Sequence, residues 1–257
     1  MWQRGRVHDL QDRIEVFAVA AWTGRTRALG GRIVRDDGLV TFLTGLPAPP
    51  LNPTLVEREP RDPDAALASA EARYEAAGIT FGVEVDPERR VEVREACERA
   101  GLTLFESRPV MAADPASVPP PEPRDGLTIL RGEPFLDDVA RVDTAAFGGE
   151  FEVNRSFLSG AEHDPDARIY VAFLDGIAVG CAETSLADGL LGVFGVATIP
   201  EARRRGVGSA VTSFAIHDRR DEADAAILDS SDVGHGAYER LGFRDVAVGE
   251  IWTRRET

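Results

Sequence analysis

The feature that most constrains this chain is a strand-like stretch followed by a glycine-containing turn and a helical pattern. The stretch ends at Thr198, and three consecutive arginines, residues 203–205, precede Gly206 and Gly208. Because glycine lacks a Cβ, the backbone can turn sharply there and a ligand can approach its N–H groups. The N–H groups of a first helical turn have no partner inside the helix, and the helix dipole favours an anion beside them. The segment is typical of a phosphate-binding turn.

Two other phosphate-binding motifs do not fit this turn. A Walker-type loop requires a lysine after its second glycine, and the chain contains no lysine. A dinucleotide-binding fingerprint requires a third glycine, whereas Gly208 is followed by Ser209, Ala210 and Val211. The residues therefore exclude both of these nucleotide-binding sites.

Two motifs in this region resemble those of the Gcn5-related N-acetyltransferase (GNAT) superfamily. The acyl-CoA-binding motif of that family is Arg or Gln, two residues, Gly, one residue, then Gly or Ala, and Arg203-x-x-Gly206-x-Gly208 matches every fixed position. Downstream, the segment from Tyr238 to Phe243 is similar to the family's Tyr-Glu-x-Leu-Gly-Phe sequence. Both motifs occur in the order and at the distance that are usual in the family.

The hydrophobic pattern predicts an α+β (mixed αβ) fold. Apolar residues at three- and four-residue spacing indicate helices, and apolar runs joined by Asp-Gly turns indicate hairpin strands. The predicted elements are a strand at 127–131, a helix at 134–147, a short helix, strands at 169–174, 177–183 and 190–198, a helix at 206–220, a strand at 225–228, another helix, and final strands through 252. The resemblance implies the same arrangement, the GNAT acyl-CoA N-acyltransferase fold.

A proline-rich stretch marks a boundary in the chain. Residues 114–125 include three consecutive prolines at 119–121 and a fourth at 123, which predicts a stiff, extended linker. We therefore expect an N-terminal domain at 1–113, the linker at 114–125, and a GNAT N-acetyltransferase domain at 126–257.

The N-terminal domain is interpreted as a degenerate copy of the same fold. Its helices at 64–77 and 87–100 and its strands at 79–85 and 102–111 follow the order of the last half of the C-terminal domain. It resembles the tandem arrangement of some bacterial GNAT proteins, but it has no glycine pair for a phosphate turn. A decayed cofactor site and a half that never had one both predict no CoA binding there.

The resemblance implies a role for each part of the phosphate-turn segment. The strand would hydrogen-bond the pantetheine arm of acetyl-CoA, with the Val196 N–H near the thioester carbonyl, and the turn would bind the pyrophosphate. Ser231 stands where many relatives carry an asparagine that touches the cofactor. The alternatives are a plain core strand and a solvated basic corner. The candidate cofactor-binding residues are Val196, Ala197, Thr198, Arg203, Arg204, Arg205, Gly206, Val207, Gly208, Ser209 and Ser231.

Two catalytic roles follow from the chemistry of acetyl transfer to an amine. Tyr238 matches the tyrosine that protonates the departing CoA thiolate in many relatives, and a core tyrosine is the alternative. A general base must take a proton from the ammonium, and Glu183 is the first candidate, with a surface carboxylate as the alternative. Glu250 is a second candidate, and His235 lies near Tyr238 in the sequence. The acidic, glycine-containing segment 148–152 corresponds to the family's acceptor pocket.

Composition limits the partners. A net charge of −15 disfavours nucleic acid, and no apolar run is long enough for a membrane helix. The two cysteines and four histidines show no metal-ligand spacing. We expect a cytoplasmic bacterial protein, a monomer or homodimer, with acetyl-CoA as co-substrate and no metal.

Two functions from different classes fit the sequence. The first is an N-acetyltransferase that moves an acetyl group from acetyl-CoA to a primary amine of a small molecule or peptide, by direct attack in a ternary complex. The alternative is a non-catalytic acyl-CoA-binding sensor or scaffold, which the lack of an obvious base favours. The sequence does not identify the acceptor.

Overall fold

The computed structural model describes residues 4–254, which form two compact units. The first unit comprises residues 4–110 with 245–254, and the second comprises residues 111–244. The helices are α1 (Arg4–Ala28), α2 (Pro63–Ala77), α3 (Val91–Arg99), α4 (Leu136–Phe147), α5 (Phe151–Ser159), α6 (Val207–His217) and α7 (Asp232–Arg240). The strands are β1 (Arg32–Asp36), β2 (Leu39–Leu43), β3 (Pro53–Val56), β4 (Gly82–Val85), β5 (Thr103–Ala113), β6 (Leu127–Arg131), β7 (Ala167–Leu174), β8 (Ile177–Ala187), β9 (Leu190–Thr198), β10 (Ala225–Asp229) and β11 (Arg244–Thr253).

The first unit is a mixed sheet with helices packed on it. Its strands follow the order β1-β2-β3-β4-β11-β5, and β3 runs parallel to β4. The buried Tyr74 of α2 stacks on Phe81 with ring centroids 4.6 Å apart, and its hydroxyl donates to Pro53 O at 2.8 Å. These contacts join α2 to the two parallel strands, because Phe81 directly precedes β4 and Pro53 begins β3.

The long helix α1 has no counterpart among the sequence-based predictions. Leu10 and Phe17, seven residues apart, are buried, whereas the adjacent Val16 is 55% exposed. Apolar residues on both sides of the helix obscure the stripe that would indicate it in the sequence. Among residues 4–254, none of the helices combines the length and the apolar character needed to cross a membrane.

The second unit confirms the mixed αβ fold. Its strands follow the order β10-β9-β8-β7-β6, antiparallel except for the parallel pair β9–β10. Alternate residues of β7 face opposite sides of the sheet, with Ile169 and Val171 packed among residues of α4 and α5 and Tyr170 and Ala172 packed among residues of α6. The predicted strands 127–131 and 190–198 are confirmed with these bounds as β6 and β9.

The proline-rich segment is anchored on α6. Val118 is buried, and its carbonyl oxygen lies 2.8 Å from His217 Nε2. Ser213 Oγ donates to the Pro119 carbonyl oxygen. The segment therefore forms part of the surface of the second unit, while the predicted domain boundaries at residues 113 and 126 stay a prediction.

Helix α2 of the first unit begins with its own acidic cap. The Asp62 carboxylate accepts a hydrogen bond from Ala65 N at 3.0 Å, and Pro63 occupies the first helical position. Proline has no N–H, and the carboxylate satisfies another of the free N–H groups of the first turn. This helix therefore meets its need for an anion from within the chain.

We expect Asp62→Ala to lower the free energy of unfolding by about 1 kcal/mol, because the Ala65 N–H then loses its partner. Urea denaturation followed by circular dichroism measures the change. Asp62→Asn, which keeps an acceptor oxygen, serves as the control and should lose much less. Equal losses in both variants would contradict the capping role.

Candidate active site

Strand β9 carries a bulge where the candidate site begins. Between its pairs with Cys181 and Glu183 of β8, two β9 residues, Gly195 and Val196, lie opposite one β8 residue. Gly195 is exposed and has a φ of +54°, in the left-handed region that favours glycine. A bulge bends the strand and redirects its N–H and carbonyl groups. At this point β9 turns its backbone away from regular pairing.

Beyond the bulge, β9 continues without its parallel neighbour. Strand β9 pairs with β10 from Leu190 to Gly192, opposite Ala225 to Ile227. Strand β10 ends at Asp229, whereas β9 extends six residues past its last pair, to Thr198. The gap exposes a strand edge, and an edge can hydrogen-bond an extended ligand as if it were an added strand.

The turn that follows β9 leaves the start of α6 without a protein cap. Arg204 and the N-cap residue Gly206 have positive φ values of 59° and 75°. Among the residues that the structure describes, no side chain caps α6, and the first turn of α6 contains no acidic residue. The free N–H groups and the helix dipole therefore point at the space in front of the turn. This is the opposite of the arrangement at α2, where Asp62 supplies the anion.

Arg203 links the turn to its surroundings. Its Nε donates to Thr198 O at 3.3 Å, and its Nη2 donates to Ala146 O at 3.4 Å. The side chain thus connects the end of β9, the turn and the last turn of α4. Arg204 and Arg205 are exposed.

Arg124 adds a positive charge that the sequence analysis missed. Its guanidinium lies so close to Gly206 that a Cβ at that position would overlap it. Arg124 is exposed and pairs with Glu122 at 3.0 Å. The surrounding prolines identified this segment only as a linker, and no local pattern indicates that it reaches the turn before α6.

The comparisons with known proteins agree with this geometry. Residues 165–245 match the family model described as the acetyltransferase (GNAT) domain. Over these residues the chain is similar to the GNAT family. A comparison with curated proteins finds no match.

Solved structures of low identity share the fold over most of the chain. A GCN5-related N-acetyltransferase from Kribbella flavida superposes with a TM-score of 0.78 at 22% identity, covering 96% of each chain. A functionally unknown conserved protein from Staphylococcus epidermidis gives 0.66 at 14% identity, covering 89% of this chain and 96% of the other. A tandem GNAT protein from the clavulanic acid biosynthesis pathway gives 0.61 at 15% identity, covering 88% of this chain and 82% of the other.

Tyr238 lies on α7, within the matched residues, and is 9% exposed. Its ring packs edge-on against Phe243 with centroids 6.1 Å apart, in an apolar cluster that also includes Val193 and Val196 of β9. Burial raises the pKa of Tyr238 to about 12, so the phenol keeps its proton at neutral pH. A protonated hydroxyl in this position suits an acid and excludes a base.

The other candidates from the sequence have identifiable structural roles. Ser231 Oγ accepts from Gly234 N at 3.3 Å and caps α7. His235 Nδ1 lies 3.8 Å from Glu239 Oε2. Glu250 belongs to the first unit, where its carboxylate accepts from the indole N–H of Trp252 at 2.9 Å.

Glu183, the first candidate for the base, is 7% exposed within β8. It pairs with Phe194, three residues before the Ala197 that follows the bulge. In the described part of the chain, no group of three or more His, Cys, Asp or Glu side chains is arranged to hold a metal ion.

The predicted acceptor segment begins at the end of α4. Gly148 and Gly149 have φ values of 84° and 82° and end the helix. Asn154 Nδ2 donates to Gly148 O at 2.9 Å and to Thr144 Oγ1 at 3.0 Å. These hydrogen bonds anchor the segment, and the neighbouring Phe147 is 63% exposed.

Asp143 is an acidic residue that the sequence analysis overlooked. It follows Leu136, Val139 and Ala140 at helical spacing, on the face of α4 that packs on the sheet. Burial raises the pKa of Asp143 from 3.8 to about 6. Within residues 4–254, no hydrogen bond or ion pair reaches it. A carboxylate placed among apolar residues without a partner destabilises the fold.

We expect Asp143→Asn to stabilise the protein above about pH 6 by about 2 kcal/mol, given ~1.4 kcal/mol per pKa unit and partial exposure. As the pH rises, the unfolded chain loses this proton first, so ionisation in the folded state becomes a penalty between about pH 4 and pH 6. Near pH 4 the side chain is neutral in the folded state, and the gain should disappear.

Urea denaturation at both ends of this pH range measures the difference. Asp138→Asn is the matched control, since Asp138 lies on the same helix and pairs with Arg141 at 2.6 Å. A stabilisation by Asp143→Asn that does not change with pH would contradict a buried, ionised carboxylate.

Proposed function

We propose that the second unit transfers an acetyl group from acetyl-CoA to a primary amine, by direct attack in a ternary complex. The observation that carries this proposal is the start of α6, where N–H groups without a protein cap face a turn with three arginines. A diphosphate carries the negative charge that such a turn favours. Arg124, against Gly206, adds a further cation for the same anion.

The open edge of β9 suits the remainder of the co-substrate. Pantetheine carries amide groups that can hydrogen-bond a strand edge, and the part of β9 that does not pair with β10 leads from the turn before α6 back to the bulge. At the bulge, the Val196 N–H would donate to the thioester carbonyl and stabilise the negative charge that develops there on attack. In this arrangement, binding and activation use one continuous stretch of backbone.

The leaving group requires an acid. When the amine nitrogen attacks the carbonyl carbon and the carbon–sulfur bond breaks, the sulfur gains an electron pair and then a proton. Tyr238 would donate that proton, because its phenol is protonated and packs in the same cluster as Val196. The acceptor amine would approach from the other face of β9, where α4 and the segment after it lie.

The first unit would bind no acetyl-CoA. The start of its α2 is already capped by Asp62, and a carboxylate there repels a phosphate. We therefore expect one co-substrate molecule per chain.

Acetyl-CoA and CoA should each raise the melting temperature of the protein, and NAD should not. A ligand at about 100 times its dissociation constant adds about 2.7 kcal/mol to the free energy of unfolding.

Gly208→Trp should abolish this shift in melting temperature. A Cβ at 208 would lie 3.5 Å from Thr198 Oγ1 and 4.0 Å from Val196 Cγ1, and the larger ring then fills the space between α6 and β9.

Differential scanning fluorimetry measures these shifts, and titration calorimetry measures the stoichiometry. Asp221→Trp is the matched control, since its side chain is 95% exposed just past the far end of α6. If wild-type protein shows no shift, or if Gly208→Trp binds acetyl-CoA normally, the proposed site is wrong.

Tyr238→Phe should lower kcat by about a hundredfold and leave the dissociation constant of acetyl-CoA unchanged, because only the proton donor is removed. Release of free thiol from acetyl-CoA in the presence of amines measures the rate. A wild-type protein that binds acetyl-CoA but acetylates no amine would instead support the sensor or scaffold function. A full rate in Tyr238→Phe would exclude the phenol as the acid.

A further inference from the structure

We propose that Asp143 is the general base that takes the proton from the acceptor ammonium. This inference rests on the proposed function and assigns its missing catalytic group. Asp143 lies on α4, outside both sequence motifs, on the helix face that packs against β7, β8 and β9.

Two sets of contacts place Asp143 beside the bulge. One turn further along α4, Ala146 O accepts from Arg203, which also bonds Thr198 at the end of β9. On the sheet, Cys181 Sγ donates to Gly195 O at 3.7 Å, in the bulge itself. The negative charge of Asp143 adds to burial in raising the pKa of the Cys181 thiol, which requires the carboxylate to be near this cysteine. Asp143 therefore lies on the side of α4 that packs on the sheet, near Cys181, whose thiol contacts the bulge.

The groups around Asp143 leave it as the available base. From β8, Cys181 and Glu183 occupy alternate positions on the α4 side of the sheet, and β7 contributes apolar residues there. Arg203 approaches α4 from the turn before α6. Asn154 approaches from α5, and its amide is bonded to Thr144 and Gly148. Glu183 is 7% exposed in mid-strand, whereas Asp143 is only partly buried and lies at the end of α4 that borders the acceptor segment.

The surroundings of Asp143 also suit its task. Burial raises the pKa of the carboxyl to about 6, close to the pH at which a base works best. An unpaired carboxylate is a natural partner for an ammonium, so the same group can bind the acceptor and then deprotonate it. Carboxyl groups with raised pKa values are concentrated at functional sites.

The proton balance is complete with two side chains. An ammonium that becomes an amide nitrogen loses two protons. Asp143 takes the first, which frees the electron pair that attacks the carbonyl carbon, and later releases it to water. The second leaves the tetrahedral intermediate and replaces the proton that Tyr238 gives to the sulfur as the carbon–sulfur bond breaks. The products are the acetylated amine, free CoA and one proton in water.

The test measures kcat/KM against pH for full-length wild type and variants, with acetyl-CoA and with spermidine, kanamycin and glycinamide as acceptor probes. Wild type should lose about tenfold in kcat/KM per pH unit below about pH 6. Asp143→Asn should be about a hundredfold slower near neutral pH. Its kcat/KM should not fall in this way below about pH 6, so the acidic limb of the pH profile should be missing. Its dissociation constant for acetyl-CoA should stay within about twofold of wild type.

Three controls separate catalysis from structure. Asp143→Glu should be faster than Asp143→Asn and should show the acidic limb of the pH profile again. Asp138→Asn and Glu183→Gln should retain the acidic limb of wild type. If wild type acetylates an amine and Asp143→Asn shows the same rate and the same pH profile, the assignment of Asp143 is overturned and the proposed function is left intact. If wild type binds acetyl-CoA but releases no thiol with any of these amines, the proposed function and this assignment are both wrong.

Discussion

The need of a helix for partners at its first N–H groups shapes both halves of this chain. Helix α2 meets the need with the Asp62 carboxylate, whereas α6 begins at Gly206 with no capping side chain. An internal anion stabilises the fold and closes the helix end to ligands, while an uncapped end keeps its dipole and N–H groups available. The two units therefore carry the same kind of strand–helix connection with opposite consequences for anion binding.

The geometry of β9 depends on the same connection. The strand must separate from β10 to reach the turn before α6, and the bulge at Gly195 redirects it after its last pair with β10. Arg203 then fixes the end of the strand to α4. As a result, the end of β9, the turn before α6 and the end of α4 are joined to one another. Tyr238 packs on one side of β9, and α4, which carries Asp143, packs on the other, as the proposed acid and base would require.

Much of the second unit could be predicted from the sequence, because its signals are local. Asp-Gly turns bound the hairpins of β7, β8 and β9, and helix α6 shows apolar residues at three- and four-residue spacing. No helix or strand was predicted from the sequence of the first 60 residues. There α1 has apolar residues on more than one side, and β2 is buried at every position, a pattern that does not separate a strand from a buried helix segment. The hydroxyl of Ser231 accepts a hydrogen bond at the start of α7, and its contact with the cofactor stays a prediction.

The sequence by itself determined the mixed αβ fold of the second unit and the motifs that resemble those of the GNAT family, because the glycines, the turns and the apolar spacing act within a few residues of one another. Only the tertiary structure decided which charged groups surround the site. Arg124 reaches Gly206 from a segment more than 80 residues earlier, and Asp143 lies near Cys181 of β8, on a helix that precedes that strand by about 30 residues. Their positions depend on how helices pack on the sheet, and the environment that shifts a pKa consists of residues far apart in the chain. No local pattern of residues can contain that information.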